Sequence, residues 1–261
     1  MTAQLKSHTV GKTLVLTLSD PQNYNALGPG IFGAGVEALN AADANTEISS
    51  IVITGDGDHF CAGGNLNRLN ANREQSHSAQ AQSLEELHNW MDSIRSFPKP
   101  VIAAVEGAAA GAGFSLCLMC DFIVASETSF FSTSYSNVGL SPDAGASWHL
   151  TRLLPRTVAT RWLMLGERIK AEELTPHGLL HSLVPPGSAL THALALAESL
   201  NARAANVNAS IKELINASYG QGLSEHMKLE SEHFVRNLHH PNAGIGIESF
   251  LKKETPQFKN D

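Results

Sequence analysis

Short apolar segments that alternate with helical patterns constrain the fold of this chain more than any other sequence feature. Residues 13–18, 50–54, 101–105 and 122–125 are rich in aliphatic side chains, which is typical of buried strands. Apolar residues recur at helical spacing over residues 31–44, 81–97 and 114–120. Because strands that alternate with helices favour a parallel sheet covered by helices, the first half predicts an α/β core.

The pattern changes after residue 143, where only helical spacing continues. We expect helices over residues 146–154, 158–165, 171–178 and 189–204, and several more over 208–251. We therefore divide the chain into a core of residues 1–200 and a helical C-terminal extension of residues 201–261. Because this extension has no strands of its own, we expect it to pack on the core or on a neighbouring subunit.

Composition excludes several classes of protein. The 261 residues carry 18 Lys and Arg against 25 Asp and Glu, a net charge of −7. An acidic chain without a basic cluster is not typical of nucleic-acid binding. The longest uncharged apolar run, residues 107–120, is shorter than the ~20 residues of a membrane-spanning helix. The first residues lack the apolar stretch of a secretory signal. We expect a soluble cytoplasmic protein.

Two short motifs suggest cofactor chemistry but lack its requirements. Residues 28–33 match the spacing G-x-G-x-x-G, but Pro29 removes a backbone donor and the preceding strand ends too early for a tight strand-to-helix turn. Cys117 and Cys120 have the spacing of a redox pair, but they lie in an apolar segment, where cysteine behaves as a small hydrophobe. The 12 histidines are scattered without a metal-binding spacing. We expect neither a resident cofactor nor a metal.

Two glycine-rich turns are more informative. Residues 59–66 follow the second apolar strand, and residues 107–113 follow the third and open a helix. Without bulky side chains a ligand can approach the backbone, and N–H groups at the start of a helix favour negative charge. Two such groups that converge on one oxygen form an oxyanion hole. The two turns therefore suggest an oxyanion hole. The alternative is the ordinary role of glycine, which is to let the chain reverse direction.

These turns also carry a resemblance to a known family. Residues 60–66 (FCAGGNL) and 101–113 (VIAAVEGAAAGAG) are similar to two signature segments of the enoyl-CoA hydratase/isomerase (crotonase) superfamily. Weaker similarities cover residues 25–27, 120–122, 139–145, 165–169, 178–179 and 250–253, so the resemblance spans essentially the whole chain. It is closest in motif to the epoxyphenylacetyl-CoA isomerases of phenylacetate breakdown and to Δ3,Δ2-enoyl-CoA isomerases.

The resemblance implies a fold, an assembly and a substrate class. The fold is a spiral of ββα units with a C-terminal helical extension that forms trimers, commonly paired into hexamers. We therefore expect a homotrimer or a dimer of trimers. The implied substrate is an acyl-CoA thioester, in which coenzyme A is part of the substrate rather than a cofactor.

The resemblance also implies site residues. The oxyanion donors fall on the N–H groups of Gly64 and Ala112, and Ala112 stands where the family usually has glycine. The other positions that it matches to substrate contacts are Asn25, Ala26, Ala62, Asn65, Leu66, Gly111, Tyr135, Phe234 and Lys253. The last two match contacts with coenzyme A that relatives often make across a subunit boundary. Tyr135, Phe131 and Trp148 are candidates for an apolar acyl pocket, with core packing as the alternative.

The acid and base residues depart from the hydratase pattern. Hydratases of the family use two glutamates, and those positions here hold Ser115 and Tyr135. Because adding water across a double bond requires an acid and a base, the standard hydratase mechanism is disfavoured. The remaining carboxylate is Asp143, in a Pro-Asp-x-Gly segment where the isomerases carry their single base. We expect it to be partly buried, and the alternative is an aspartate that caps a turn or helix.

The sequence predicts an isomerase that moves a proton along the acyl chain, with Asp143 as its base. Three alternatives remain open. The first is a hydratase with atypical acid and base residues. The second is an enzyme that uses Asp143 as a nucleophile, as the family's aroyl-CoA dehalogenase does at the matching point. The third is a crotonase-like binding or scaffold protein without catalysis.

Overall fold

The structure is a computed structural model that describes residues 3–259. Its strands are β1 (Gln4–Val10), β2 (Thr13–Ser19), β3 (Ser50–Gly55), β4 (Val101–Val105), β5 (Ala108–Ala110), β6 (Phe122–Ser126), β7 (Phe130–Ser132), β8 (Ile169–Lys170) and β9 (Ser182–Val184). The larger sheet has the order β1-β2-β3-β4-β6-β9, and the smaller one has the order β5-β7-β8. In the larger sheet β1 and β2 are antiparallel, and every other neighbouring pair is parallel.

Helices surround the two sheets. They are α1 (Pro29–Ala44), α2 (Leu66–Asn72), α3 (His77–Ser96), α4 (Ala112–Met119), α5 (Ala146–Leu153), α6 (Arg156–Leu165), α7 (Ala171–Leu174), α8 (Ala189–Asn201), α9 (Ala205–Ser218), α10 (Leu223–Leu238) and α11 (Pro241–Lys252). Within the described residues, none of them combines the length and the apolar character needed to cross a membrane.

The parallel strands are apolar on both faces because each face is covered. Val52 on β3 packs with α8, whereas its neighbours Ile51 and Ile53 point into the opposite core, as the alternation of a strand requires. On α8 the contacts come from alanines four residues apart, such as Ala189 and Ala193, and these small side chains let the helix lie close to the sheet. The main core on the other face includes side chains from α1, α3 and α4.

The C-terminal extension is anchored to the core through α9. The Lys212 Nζ lies 2.7 Å from Oδ2 of Asp121, at the end of α4, and donates to the carbonyl of Ile94 at 3.2 Å. Burial raises the pKa of the Asp121 carboxyl, and the charge of Lys212 opposes this effect. Asn216 donates to the carbonyl of Arg95 at 2.9 Å. The first helix of the extension therefore packs on its own core.

The structure confirms the predicted α/β fold and the strands and helices of the first half, within a few residues at their ends. The prediction of helices alone after residue 143 is wrong, because β8 and β9 lie there. These strands have two and three residues, too few for a periodic pattern to show. The first glycine-rich turn, over residues 59–66, leads into α2, and β1, β5 and β7 are additional strands. The proposed domain boundary, between residues 200 and 201, falls at the last residue of α8 and stays a prediction.

Candidate active site

The two glycine-rich turns lie against each other, backbone to backbone. Cys61 in the first turn donates to the carbonyl of Ala108 at 2.9 Å and accepts from the N–H of Ala110 at 2.9 Å. Gly113 packs so closely on the carbonyl of Cys61 that a Cβ atom there would overlap it. The two turns, which are distant along the sequence, are therefore held together at the edge of the smaller sheet.

This contact brings the two predicted oxyanion donors to the same place. Gly63 has φ +88°, and a Cβ atom on it would lie 2.6 Å from the Ala110 carbonyl oxygen and 3.1 Å from the Ala112 nitrogen. Ala112 is the first residue of α4, where backbone N–H groups have no partner within the helix. Among the backbone hydrogen bonds of residues 3–259, none is donated by the N–H of Gly64 or of Ala112. Both groups are free to bind an anionic oxygen.

Alanine at position 112 is compatible with this role. Among the described residues, the non-glycine residues with a positive φ are Tyr24, Asn25, Ser134, Ala144 and Lys253. Ala112 is not among them, so its Cβ introduces no backbone strain. The left-handed conformation is taken instead by Gly111, with φ +51°, just before the helix.

Asp143 is half-buried, and its carboxylate accepts a hydrogen bond from a side chain and not from the backbone at the start of a helix. The Tyr135 hydroxyl donates to Oδ1 of Asp143 at 2.6 Å. The following helix, α5, has Gly145 as its N-cap without a side-chain hydrogen bond. The structure therefore does not support the alternative of a helix-capping aspartate, and it confirms the expected partial burial.

Ser115 and Tyr135, which the family resemblance matches to the two hydratase glutamates, both contact Asp143. The Ser115 Oγ lies 3.2 Å from the Tyr135 hydroxyl, 3.3 Å from the Asp143 carbonyl oxygen and 3.4 Å from that of Gly111. Ser115 was not among the predicted site residues. Its position one helical turn after Gly111, on the helix that opens at the predicted oxyanion donor Ala112, was the available signal.

The Tyr135 hydroxyl stays protonated in this environment. Burial raises its pKa well above the usual range, and the charge of Asp143 adds to the effect. Since its single hydrogen is donated to Asp143, the oxygen of Tyr135 can only accept from Ser115. The one hydrogen of the Ser115 hydroxyl lies within reach of the Tyr135 oxygen and of the carbonyl oxygens of Asp143 and Gly111.

The backbone next to Asp143 is held in an uncommon conformation. Ala144 has φ +48°, a region that costs an alanine about 1–2 kcal/mol. Its N–H donates to Nε2 of His88, on α3, at 3.3 Å. This contact spans 56 positions of the chain, so no local pattern connects His88 with Asp143.

Asn25 and its neighbours support the first turn. The Asn25 side chain is fully buried, accepts from the N–H of Asp20 at 2.9 Å and donates to the carbonyls of Asp56 and His59. Ala26 is also buried, and the N–H of Ala62 donates to the Tyr24 carbonyl at 2.9 Å. The structure places the amide of Asn25 among backbone groups, where it fixes the loop.

Asn65 and Leu66 lie where the first turn becomes α2. The Asn65 Oδ1 accepts from the N–H of Arg68 at 3.1 Å and caps the helix. Leu66 is 56% exposed beside it. A large apolar side chain exposed close to the predicted oxyanion donor Gly64 is available to a substrate, so contact of Leu66 with the substrate stays a prediction.

The other predicted residues lie outside this cluster. Phe131 is fully buried against Phe114, with ring centroids 5.1 Å apart, so it packs in the core. Trp148 carries the Arg152 guanidinium over its ring and lines a cavity of about 520 Å³ between α5 and α9. Phe234 on α10 and Lys253 after α11 are exposed. In residues 3–259 neither forms a hydrogen bond or ring contact with the two turns, and their role stays a prediction.

Comparisons with known proteins agree on one family. A family model described as Enoyl-CoA hydratase/isomerase matches residues 9–261. The 2,3-dehydroadipyl-CoA hydratase of Escherichia coli is 32% identical over 249 residues, which is 95% of each chain. The 1,2-epoxyphenylacetyl-CoA isomerase of the same organism is 30% identical over 253 residues, 97% of each chain. A crystal structure of an enoyl-CoA hydratase from Polaromonas sp. JS666 matches with a TM-score of 0.97 and 60% identity, covering 98% of this chain and 99% of that one.

Proposed function

The chain belongs to the enoyl-CoA hydratase/isomerase family, and from that premise we propose that it is an acyl-CoA isomerase with Asp143 as its single base. One observation carries the proposal. Ser115 and Tyr135, at the positions of the two hydratase glutamates, are both hydrogen-bonded to Asp143. Their hydroxyls leave Asp143 as the carboxylate of this network. Moving a proton between two carbons needs one such group, whereas adding water needs an acid and a base.

In the proposed reaction the thioester carbonyl oxygen accepts hydrogen bonds from the N–H groups of Gly64 and Ala112. Asp143 removes a proton from the α-carbon, and the electron pair of the C–H bond forms an enolate whose charge the two N–H groups stabilise. Each donor of this kind contributes about 10²–10³ in rate. Asp143 then returns the proton to the γ-carbon as the double bond moves. Atoms and electrons balance without added water, oxidant or reductant.

A hydratase is the second candidate, because the relatives described above include two proteins named as enoyl-CoA or dehydroadipyl-CoA hydratases. In that case Asp143 would activate water, with the Tyr135 hydroxyl as its neighbour. Rearrangement of an epoxide on the acyl group, the reaction named for the 30%-identical isomerase, uses the same groups and belongs with the first proposal. A non-catalytic acyl-CoA-binding protein is the outcome if no thioester is converted.

We also propose that the protein acts in the cytoplasm as a homotrimer or dimer of trimers. Large apolar side chains on the last two helices support an assembly. Phe234, Phe250 and Leu251 are 69%, 83% and 75% exposed in the single chain. Side chains of this kind are usually covered in a stable complex. The measurement is the mass in solution by light scattering.

The test of the function compares three thioesters: crotonyl-CoA, a 3-enoyl-CoA and an epoxyphenylacetyl-CoA, each followed by ultraviolet absorbance. We expect conversion of the second or third and no hydration of the first. Asp143→Asn should reduce turnover by about 10²–10⁴, the usual contribution of a general base, while acyl-CoA binding is kept. Asp43→Asn, at an exposed position of α1, is the matched control. Turnover retained in the Asp143 variant, or hydration of crotonyl-CoA alone, contradicts the proposal.

A further inference from the structure

The two oxygens of the Asp143 carboxylate have different surroundings. Oδ1 accepts the Tyr135 hydroxyl at 2.6 Å. Among the hydrogen bonds of residues 3–259, none is donated to Oδ2. A hydrogen bond this short to an ionised oxygen is of the strong, charge-assisted kind, and it restricts the rotation of the carboxylate about its own axis. One oxygen is therefore fixed and the other is left for the reaction.

We propose that Tyr135, supported by Ser115, is a positioning residue that fixes Oδ1 of Asp143, so that Oδ2 alone takes the substrate proton and returns it to the same substrate. The inference rests on the proposed function and deepens it. It replaces the expectation that Tyr135 binds the acyl group, because the one hydrogen of its hydroxyl is already committed to Asp143.

The hydrogen bonds around Tyr135 support a fixed arrangement. The tyrosine hydroxyl donates to the carboxylate, and its oxygen lies 3.2 Å from the Ser115 hydroxyl, which also lies within reach of the backbone carbonyl of Asp143. Hydrogen bonds in such a network strengthen one another. Ser115 lies on α4, which begins at the oxyanion donor Ala112. The same helix therefore sets the position of an oxyanion donor and, through Tyr135, of the base.

Burial of Ser115 and Tyr135 keeps water away from Oδ1 of Asp143. Ser115 is fully buried and Tyr135 is 8% exposed. When the C–H bond of the substrate breaks, its proton forms an O–H bond on Oδ2 and the electron pair stays on the enolate. In the proposed reaction this proton passes to the γ-carbon of the bound enolate, while Tyr135 covers Oδ1. It should be transferred to that carbon more often than it exchanges with solvent.

The experiment follows a 3-enoyl-CoA with two deuterium atoms at the α-carbon, in ordinary water. Mass spectrometry measures the fraction of product that retains the transferred deuterium at its γ-carbon in addition to the one left on the α-carbon. For Tyr135→Phe we expect kcat to fall by about 10-fold to 100-fold, the usual effect of losing a hydrogen bond to a charged group, with KM nearly unchanged. The wild type should retain the transferred deuterium, and the variant should retain much less of it, because water can enter where the hydroxyl was. Ser115→Ala should give a smaller change in the same direction.

Tyr219→Phe is the matched control, because this tyrosine lies 45% exposed just after α9. Equal kcat and equal retention of the transferred deuterium in Tyr135→Phe and Tyr219→Phe would overturn the inference, as would a wild type that retains none of the transferred deuterium. If Tyr135→Phe does not fold, Ser115→Ala decides by the same measurements.

A wild type that isomerises none of the thioesters contradicts the proposed function instead. The contact between Tyr135 and Asp143 is then tested by a cycle of Tyr135→Phe, Asp143→Asn and the double variant, each unfolded in urea. The inference requires coupling between the two substitutions. Additive effects on stability would overturn it.

Discussion

Replacing Gly63 by alanine should separate the two turns that carry the predicted oxyanion donors. The new Cβ would lie 2.6 Å from the Ala110 carbonyl oxygen, whereas ordinary contact begins at 3.4 Å. The turns must therefore part by about 0.8 Å, which exceeds the ~0.5 Å within which catalytic groups need to be held. The atom that gives way is backbone of the strand leading into Ala112, so the second donor moves away from the first.

We expect kcat/KM of Gly63→Ala to fall by about 100-fold, which corresponds to about 2.7 kcal/mol of transition-state stabilisation. The assay is the rate with the best of the three thioesters under conditions of low substrate. Thermal unfolding in parallel should show a smaller loss, on the order of 1–2 kcal/mol, from the left-handed backbone at φ +88°.

Gly187→Ala separates these two effects. Gly187 has φ +78°, and a Cβ there would meet nothing within 4 Å. It should show the loss of stability without the loss of rate. If Gly63→Ala keeps a kcat/KM within about threefold of Gly187→Ala, the turns do not need this contact and the assignment of the donors is refuted.

Two further predictions concern stability. His149 is held neutral because burial, with the charges of Arg95 and Arg152, lowers its pKa from 6.5 to about 4. Between pH values near these two pKa values the unfolded chain therefore binds more protons than the folded one, and the free energy of unfolding falls as the pH falls. Urea unfolding at pH ~7 and pH ~4.5 measures this loss, and His149→Gln should make it smaller by about 2 kcal/mol. An unchanged pH dependence in His149→Gln would contradict this. Lys212→Met leaves the Asp121 carboxylate without its cation and should lower the free energy of unfolding by about 3 kcal/mol. Adding Asp121→Asn to the same chain should restore most of this loss. Equal losses in the single and double variants would show that this ion pair does not anchor α9.

Local sequence was sufficient for the elements whose pattern is long enough to repeat. The strands at 50–55 and 101–105 and the helices of the first half were predicted because burial on both faces, or on one helical face, sets a period of apolar residues. The glycine turns after two of these strands, and the absence of glutamate at positions 115 and 135, pointed to backbone donors and a single base. Short pieces such as β8 and β9 carry no period, and only pairing with a neighbouring strand defines them.

The sequence by itself determined the candidate groups: two glycine-rich turns, a carboxylate at Asp143 and no glutamate at positions 115 and 135. The tertiary structure decided how they meet. The packing of Gly63 on Ala110 joins two segments that are distant along the chain. The hydrogen bond from Tyr135 to Asp143 depends on how the residues between them fold. Local propensity cannot encode such contacts, because each hydrogen-bond partner is selected by the packing of the whole core.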